Sequence, residues 1–564
     1  MLREVDRLIL HNGTVHLMDD AERVVPAIGF AAGRVTAVGA LDQVRAATPG
    51  ADERDLGGAT VYPGFIDTHH HLCFAATYAP FPEIRCPPCR TLADILATLA
   101  ATAARTPPGE WIVLVGFNET NLAEGRRPDR DDLDRIAPDH PVLLIHFTYH
   151  EGVTNSLGLR AAGFDAATPD PPGGMLGRTR GGALDGRVFE RCFGAVEALA
   201  RQARLASERE GWFRIANGYQ ERLLAAGITH VCDAAVPESM EALYREWQRR
   251  GELHVGVTMM PLAENMFAVP ERRLDGAATG WSDGRLALGP LKLFTDGGTS
   301  CAMCISLRDA VRQFAGMVGR SLRHRSLAPW RLALQQPAHW GADRRLHTGV
   351  LYYRDEELAA VVGAAVRRGF SVGIHAAGNQ AVAQALAALD GAYRGTALPP
   401  RIDHFFFLEE ETLRRAVDLG AHVVVQPVQL HDTGPLLRQA GLPARLTYQA
   451  HRRMLDAGLT LAASSDAPVF TFDVIAAIDT AVRRRTADGG VLGADQAVTA
   501  AEVLRMYTRG AAATLGLRGA IGCLLPGARA DAVLLSDDPA AVPPDRIREV
   551  GVISTLAGRA EWRA

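Results

Sequence analysis

The stretch Val61-Tyr-Pro-Gly-Phe-Ile-Asp-Thr-His-His-His-Leu72 decides how this chain reads. It has the character of a short apolar strand ending in Asp67-Thr68-His69-His70-His71. Side chains of an extended segment alternate faces, so His69 and His71 project to one side and His70 to the other. Two imidazoles about 7 Å apart along one strand face, from the strand rise, can close on a single metal ion. Imidazole suits zinc, iron and nickel. An H-x-H pair also arises by chance in loops, so its weight depends on what accompanies it downstream.

Composition bounds the rest. With 564 residues the chain needs more than one small core, and a large barrel is one way to build it. Apolar residues make up 48% and charged residues 22%, with a net charge of −4, ordinary for a globular enzyme and no footprint for nucleic acid. Charges at Arg3, Glu4, Asp6 and Arg7 break the apolar core a signal peptide would need, and no apolar run approaches membrane-spanning length. The expectation is a cytoplasmic protein acting on a small molecule, with no nucleic-acid or membrane partner and homodimer formation left open. Eight cysteines spread over this length make no disulfide scaffold. Two pairs, Cys86/Cys89 and Cys301/Cys304, have C-x-x-C spacing. They read either as an accessory thiolate metal or redox site or, the reading favoured here, as unrelated reduced thiols, because the flanks lack knuckle context.

Both ends of the chain are rich in short β segments with turn signals such as Asn12-Gly13, while the middle alternates strand and helix. The expected division is a β-sandwich from residues 1–60 plus 517–564 and a (β/α)8 TIM-type barrel over 61–516, an α/β fold. The strands expected after the first are near 228–233, 253–259, 288–294, 371–375, 401–404, 422–426 and 459–466. About 150 residues separate the first two strands, far more than a βα loop needs. Residues 75–225 are therefore expected to form an inserted α/β subdomain, with one long helix over 189–224. The stretch 306–350 is rich in arginine (Arg308, Arg312, Arg320, Arg323, Arg325, Arg331, Arg344, Arg345). It reads first as a solvated helix and loop, second as a lid favouring anionic or polar substrates.

The polar residues at the strand ends carry the chemistry. His69, His71, Lys292, His375, His404 and Asp466 all fall at or near C-terminal strand ends, where barrel active sites are built. Four imidazoles and a carboxylate suit a hydrolytic metal site that keeps a position open for water. Asp466 could touch metal and take a proton from the bound water. Lys292 beside a cation must be neutral, or carbamylated into a bridging carboxylate.

These motifs resemble the amidohydrolase superfamily, and within it the amidohydrolase-3 branch of YtcJ-like proteins and N-substituted formamide deformylases. The resemblance rests on Pro63-Gly-Phe-Ile-Asp-Thr-His-His-His71, Lys292-Leu-Phe-Thr-Asp-Gly297, His375-Ala-Ala-Gly-Asn-Gln-Ala-Val382, Arg401-Ile-Asp-His404 and Ser465-Asp-Ala-Pro468. Asn12-Gly13 and Leu525-Pro-Gly-Ala-Arg-Ala-Asp531 extend it to both ends. It implies one or two divalent ions, zinc first, held by His69, His71, His375, His404 and Asp466, with a carboxylated Lys292 as bridge if there are two. Catalytic roles then fall to Asp466, His150 and Lys292. The stretch Tyr149-His150…Asn155-Ser156 resembles the family's Gly-His-x-x-x-x-Asn-Ser, which implies substrate contacts from His150 and Asn155; Asp296 is a third candidate contact. Asn379-Gln380 depart from the family's Asp-Arg pair, which puts the contacts beside His375 in doubt.

The function so implied is hydrolysis of a C–N bond in an amide, N-substituted formamide or cyclic amide by metal-activated hydroxide. A deaminase of an amidine or heterocyclic amine on the same centre is the second reading, and a barrel scaffold that has lost its chemistry the third.

Overall fold

The computed structural model describes residues 2–85, 88–119, 122–262, 276–298, 301–324, 330, 338–393, 399–443 and 445–564. Cys86, Arg325 and Arg331 lie outside the described residues, as do the side chains of Arg320 and Arg323.

The quoted stretch serves two sheets. Thr60–Pro63 joins a nine-stranded outer sheet, and Phe65–His70 starts an inner one. Gly64 is the pivot between them: a Cβ there would stand 2.2 Å from Thr229 Oγ1, so only glycine lets the strand pass this close to its neighbour. The single strand expected from the sequence is thus two strands meeting at one residue. The outer sheet takes Arg7–His16, Val24–Ala31 and Arg34–Gly39 from one end of the chain, and Asp531–Leu535, Val552–Ala557 and Ala560–Arg563 from the other. Its core packs Leu8, Leu10, Val15, Ile28 and Phe30 against Leu524, Leu534 and Leu556.

Inside lie two parallel arcs. In the first, Phe65–His70 pairs with Ile228–Val236, followed by Gly256–Pro261 and Leu286–Leu288. In the second, Leu291–Phe294 is followed by Val372–Ala376, Arg401–His404, His422–Val425 and Thr460–Ala463. The run through 286–294 is interrupted at Gly289-Pro290, since proline has no N–H to give a ladder. The arcs meet at both edges. Leu262 bridges Lys292 in parallel, and at the other edge Asp466 N–H donates to His69 O at 2.8 Å and His71 N–H to Ala467 O at 2.8 Å. Strands such as Ile228–Val236 are buried along their whole length, as expected where helices cover a parallel sheet.

Between the first two inner strands stands a separate five-stranded mixed sheet of Ile112–Phe117, Val142–His146, Glu151–Thr154, Gly174–Arg178 and Leu184–Glu190. Its first helix, Leu92–Ala103, starts at a Thr91/Asp94 capping box. The long helix expected over 189–224 is two, Arg191–Ser207 and Arg209–Ala225. Glu208 leaves helical geometry at φ −136°, ψ 42°, and its carboxylate pairs with Arg204 one turn back. The bend lets Trp212 and Phe213 reach the core.

The arginine-rich stretch contains helix Leu307–His324 and a three-stranded antiparallel sheet of Met303–Ser306, Arg345–Thr348 and Ala338–Trp340. Arg308, Arg312, Arg344 and Arg345 face solvent. The same helix also exposes Leu307, Val311, Phe314 and Leu322, so its outer face is not simply a solvated charge run. No helix among the described residues is long and apolar enough to cross a membrane.

Candidate metal centre

His69 and His71 leave their strand on one side, rings 5.2 Å apart and nearly perpendicular. His70 turns away to Asp67 (Nδ1–Oδ2 2.9 Å) and Tyr219. The Nε2 atoms of His69 and His71 approach Asp466 Oδ1 at 3.4 and 3.3 Å. The His404 ring lies 4.8 Å from that of His69 and 4.3 Å from that of His375. His150, from the inserted segment, stands 5.5 Å from His375. The structure therefore gathers His69, His71, His375, His404, Asp466 and His150 in one place, lining a cavity of about 410 Å³. His404 (φ 79°) and Asp466 (φ 60°) both adopt left-handed backbone, a strain that non-glycine residues accept mainly where position matters.

His404 and His69 are held from behind. His404 Nδ1 donates to Gln426 Oε1 at 2.9 Å, which fixes Nε2 as the lone-pair nitrogen. His69 Nδ1 lies 3.1 Å from Asp403 Oδ2. Asp403 also accepts from Lys292 Nζ at 2.7 Å and Arg401 Nε at 2.6 Å. His375 Nε2 lies 3.5 Å from Asp296 Oδ1.

The electrostatics favour ligation. Burial holds the His69 and His375 rings well below the usual histidine range, and brings His404 down to about 4. Neutral imidazoles are the form that binds metal. Burial opposes the charge on Asp466, but the hydrogen bond from His71 and the nearby His69 and His404 outweigh it and keep the carboxylate ionised. Among the described residues, His375 Nε2 and His404 Nε2 are buried without a hydrogen-bond partner. Buried orphan nitrogens are costly unless something fills the gap. A divalent ion held by these imidazoles and Asp466 fits that gap, and His69, His71 and Asp466 alone already have the mutual spacing of a ligand set.

Three residues sit differently from expectation. Lys292, fully buried, does not line the cavity; its Nζ donates to Asp403. Asp296 is also buried behind the cavity wall. It accepts the backbone N–H groups of Ala302, Ala377 and Gly378 at 2.8–2.9 Å, and burial pushes its pKa up to about 7. Those bonds fix the backbone just beyond His375. Asn155 is a correction to the substrate-contact expectation. Its side chain caps the helix at Gly158, accepts from Val142 N–H and donates to His140 O, and it lines no part of the cavity.

Sequence reasoning passed over Glu190, Asp403 and Gln426. Glu190 accepts from His150 Nδ1 at 2.8 Å and from the Tyr352 hydroxyl. Burial disfavours charge on His150, but Glu190 outweighs it and raises the pKa. Glu190 sits 40 residues beyond its partner in no motif; only Asp403, inside Arg401-Ile-Asp-His404, carried a signal. Farther up the wall lies a second polar group. Arg127 joins Glu119 and Glu151, and His146 lies 3.4 Å from Glu119 and 3.2 Å from Glu151. Most of the remaining lining is apolar, including Phe74, Met175, Phe189, Phe193, Phe294, Phe406 and Phe470.

The chain is 27% identical over 556 residues to an N-substituted formamide deformylase of Arthrobacter pascens, covering 97% of this chain and 96% of that one. It is 24% identical over 566 residues to the putative amidohydrolase YtcJ of Bacillus subtilis, covering 98% of each. Its fold matches the crystal structure of an uncharacterized metal-dependent hydrolase from Pyrococcus horikoshii, with a TM-score of 0.70 at 22% identity over 96% of this chain and 99% of that one. The profile of the Amidohydrolase family matches residues 52–558. The chain belongs to the amidohydrolase family, and is a hydrolase acting on carbon–nitrogen bonds other than peptide bonds.

Proposed function

We propose that this protein hydrolyses an N-substituted formamide or related amide whose nitrogen carries an apolar group, at a divalent, zinc-like centre on the floor of the cavity. The observation that carries this reading is the pair of orphan nitrogens, His375 Nε2 and His404 Nε2, gathered with an ionised Asp466 in a mostly apolar cavity. A formyl group alone would leave most of about 410 Å³ empty. The two arcs are read as one closed (β/α)8 barrel, which puts all these side chains at its C-terminal face.

His69, His71, His375, His404 and Asp466 would hold the ion. When bound, it lowers the pKa of water toward neutrality and polarises a carbonyl. The rest is done by the chain. Asp466, ionised and 3.3–3.4 Å from two imidazoles, takes the proton of the attacking water and hands it to the departing nitrogen. Glu190 accepts from His150 Nδ1 and raises its pKa, which favours the imidazolium; its Nε2–H can then donate to the carbonyl oxygen as negative charge builds there. The aromatic wall excludes water and seats the nitrogen substituent.

Lys292 has two readings. The bond to Asp403 favours an ammonium that positions Asp403, and through it His69. Complete burial lowers its pKa and favours the free amine that carbon dioxide can convert to a bridging carbamate. Metal content of Lys292→Ala against wild type separates them: an unchanged ion count supports the first, a loss the second. For the activity, the metal-loaded protein is offered N-aryl and N-alkyl formamides, matching acetamides and heterocyclic amines. Formate and free amine are the expected products; ammonia from the heterocycles, with no formate, would establish a deaminase instead.

A further inference from the structure

The pair Cys301/Cys304 does not act as a pair. Cys301 lines the cavity and its thiol donates to Gly298 O, whereas Cys304 belongs to the neighbouring antiparallel sheet. There it stands directly across from His347. Cys304 Sγ lies 4.0 Å from His347 Nε2, and that nitrogen lies 3.1 Å from Asp343 Oδ1. One donor atom from each of the three falls within 4.8 Å of the others. Edges of about 3–4 Å are what zinc–sulfur and zinc–nitrogen bonds at tetrahedral angles produce.

We propose that Cys304, Asp343 and His347 form a second metal site, taking a zinc-like divalent ion with solvent in the fourth position. Three further observations bear on it. First, Gly341 keeps the space beside the donors clear, since a Cβ there would stand 2.4 Å from Asp343 Oδ1 and 2.7 Å from His347 Nε2. Second, the other His347 nitrogen is already anchored, Nδ1 to Gln380 Oε1 at 3.0 Å, the outer hydrogen bond that orients metal-binding histidines. Third, Asn379 clamps Cys304 by accepting from its N–H at 3.0 Å and donating to its carbonyl at 2.9 Å. Asn379-Gln380 is the pair by which the sequence departs from its family's pattern, so the departure and the cluster belong together.

Arg345 donates to Cys304 Sγ at 3.7 Å. Binding would release the thiol proton to solvent and let this exposed guanidinium swing away. Met303 and Thr348, which neighbour Cys304 and His347, line the cavity, so the ion would fix one wall of the substrate pocket without touching substrate.

Cobalt titration of the chelator-stripped full chain tests this. The centre described above has only nitrogen and oxygen donors, so a near-ultraviolet thiolate-to-cobalt band reports a cysteine ligand. The band is expected in wild type, in Cys301→Ser and in the His69→Ala/His71→Ala variant. It is expected to vanish in Cys304→Ser and to need at least tenfold more cobalt in Asp343→Asn, whose exposed carboxylate is not needed for folding. Absence of the band from wild type, or its persistence in Cys304→Ser, would overturn the proposal.

Discussion

The cavity has a floor and a wall, and the two are built differently. The floor gathers His69, His71, His375, His404 and Asp466 from the ends of four parallel strands, each neighbour braced by backbone ladders. The wall comes from the inserted sheet and the 303–348 sheet, where Glu190 and Met303 sit in short local ladders and the His150 and Glu119 side chains are tied to Glu190 and Arg127. The floor is placed by the inner parallel arcs, whereas the polar wall side chains His150 and Glu119 rely on single partners, Glu190 and Arg127. Damage to the floor should therefore stop chemistry, while damage to the wall should retune it.

The largest effect is expected from Asp466→Asn, with kcat lowered about 10³-fold and circular dichroism unchanged; a loss under tenfold would remove Asp466 as the base. Chelator treatment should bring activity to background, and readded zinc should restore it; full activity in metal-free protein would refute the floor's role. On the wall, Glu190→Gln removes the charge that supports His150. It should cost about 10–100-fold in kcat/KM, the usual range for an outer partner, and wild-type kinetics would show that His150 needs no anchor. Phe470→Ala should raise KM for bulky N-substituents about tenfold relative to small ones, seen in paired substrate series.

The smallest effect concerns acid stability. Burial works against Glu119's charge, yet His146 and Arg127 outweigh it and bring its pKa from 4.5 to about 2. A folded-state pKa below the unfolded one stabilises above pH 4.5, and that stability drains as pH falls toward 2. At most about 3 kcal/mol is involved. Urea unfolding at pH 7 and pH 3 should show a narrower stability gap in Glu119→Gln than in wild type; equal gaps would mean that this carboxylate is not coupled to folding.

The same contrast explains what the sequence disclosed. Floor residues announce themselves because a metal site on strand ends imposes local spacing, as in His69-x-His71. Strand positions were readable because long buried apolar runs separate helical repeats. Glu190 and Gln426 carry no such signal, since a hydrogen bond across 40 or 22 residues leaves no local pattern. Asn155 misled for the opposite reason: its motif was clear, but asparagine serves equally well as a helix cap. The two-helix bend at Glu208 was hidden because its flanks share one apolar periodicity.

The outer sheet has a consequence for how the chain is made. Arg3–Glu4 hydrogen-bonds with Ala560–Arg563, and Thr60–Pro63 with Asp531–Leu535. During synthesis Thr60–Pro63 leaves the ribosome about 470 residues before its partner Asp531–Leu535 and meanwhile presents an open sheet edge. At about 5–20 residues per second that edge stays bare for roughly half a minute or more. Until then its unpaired N–H and C=O groups are open to pairing with another strand.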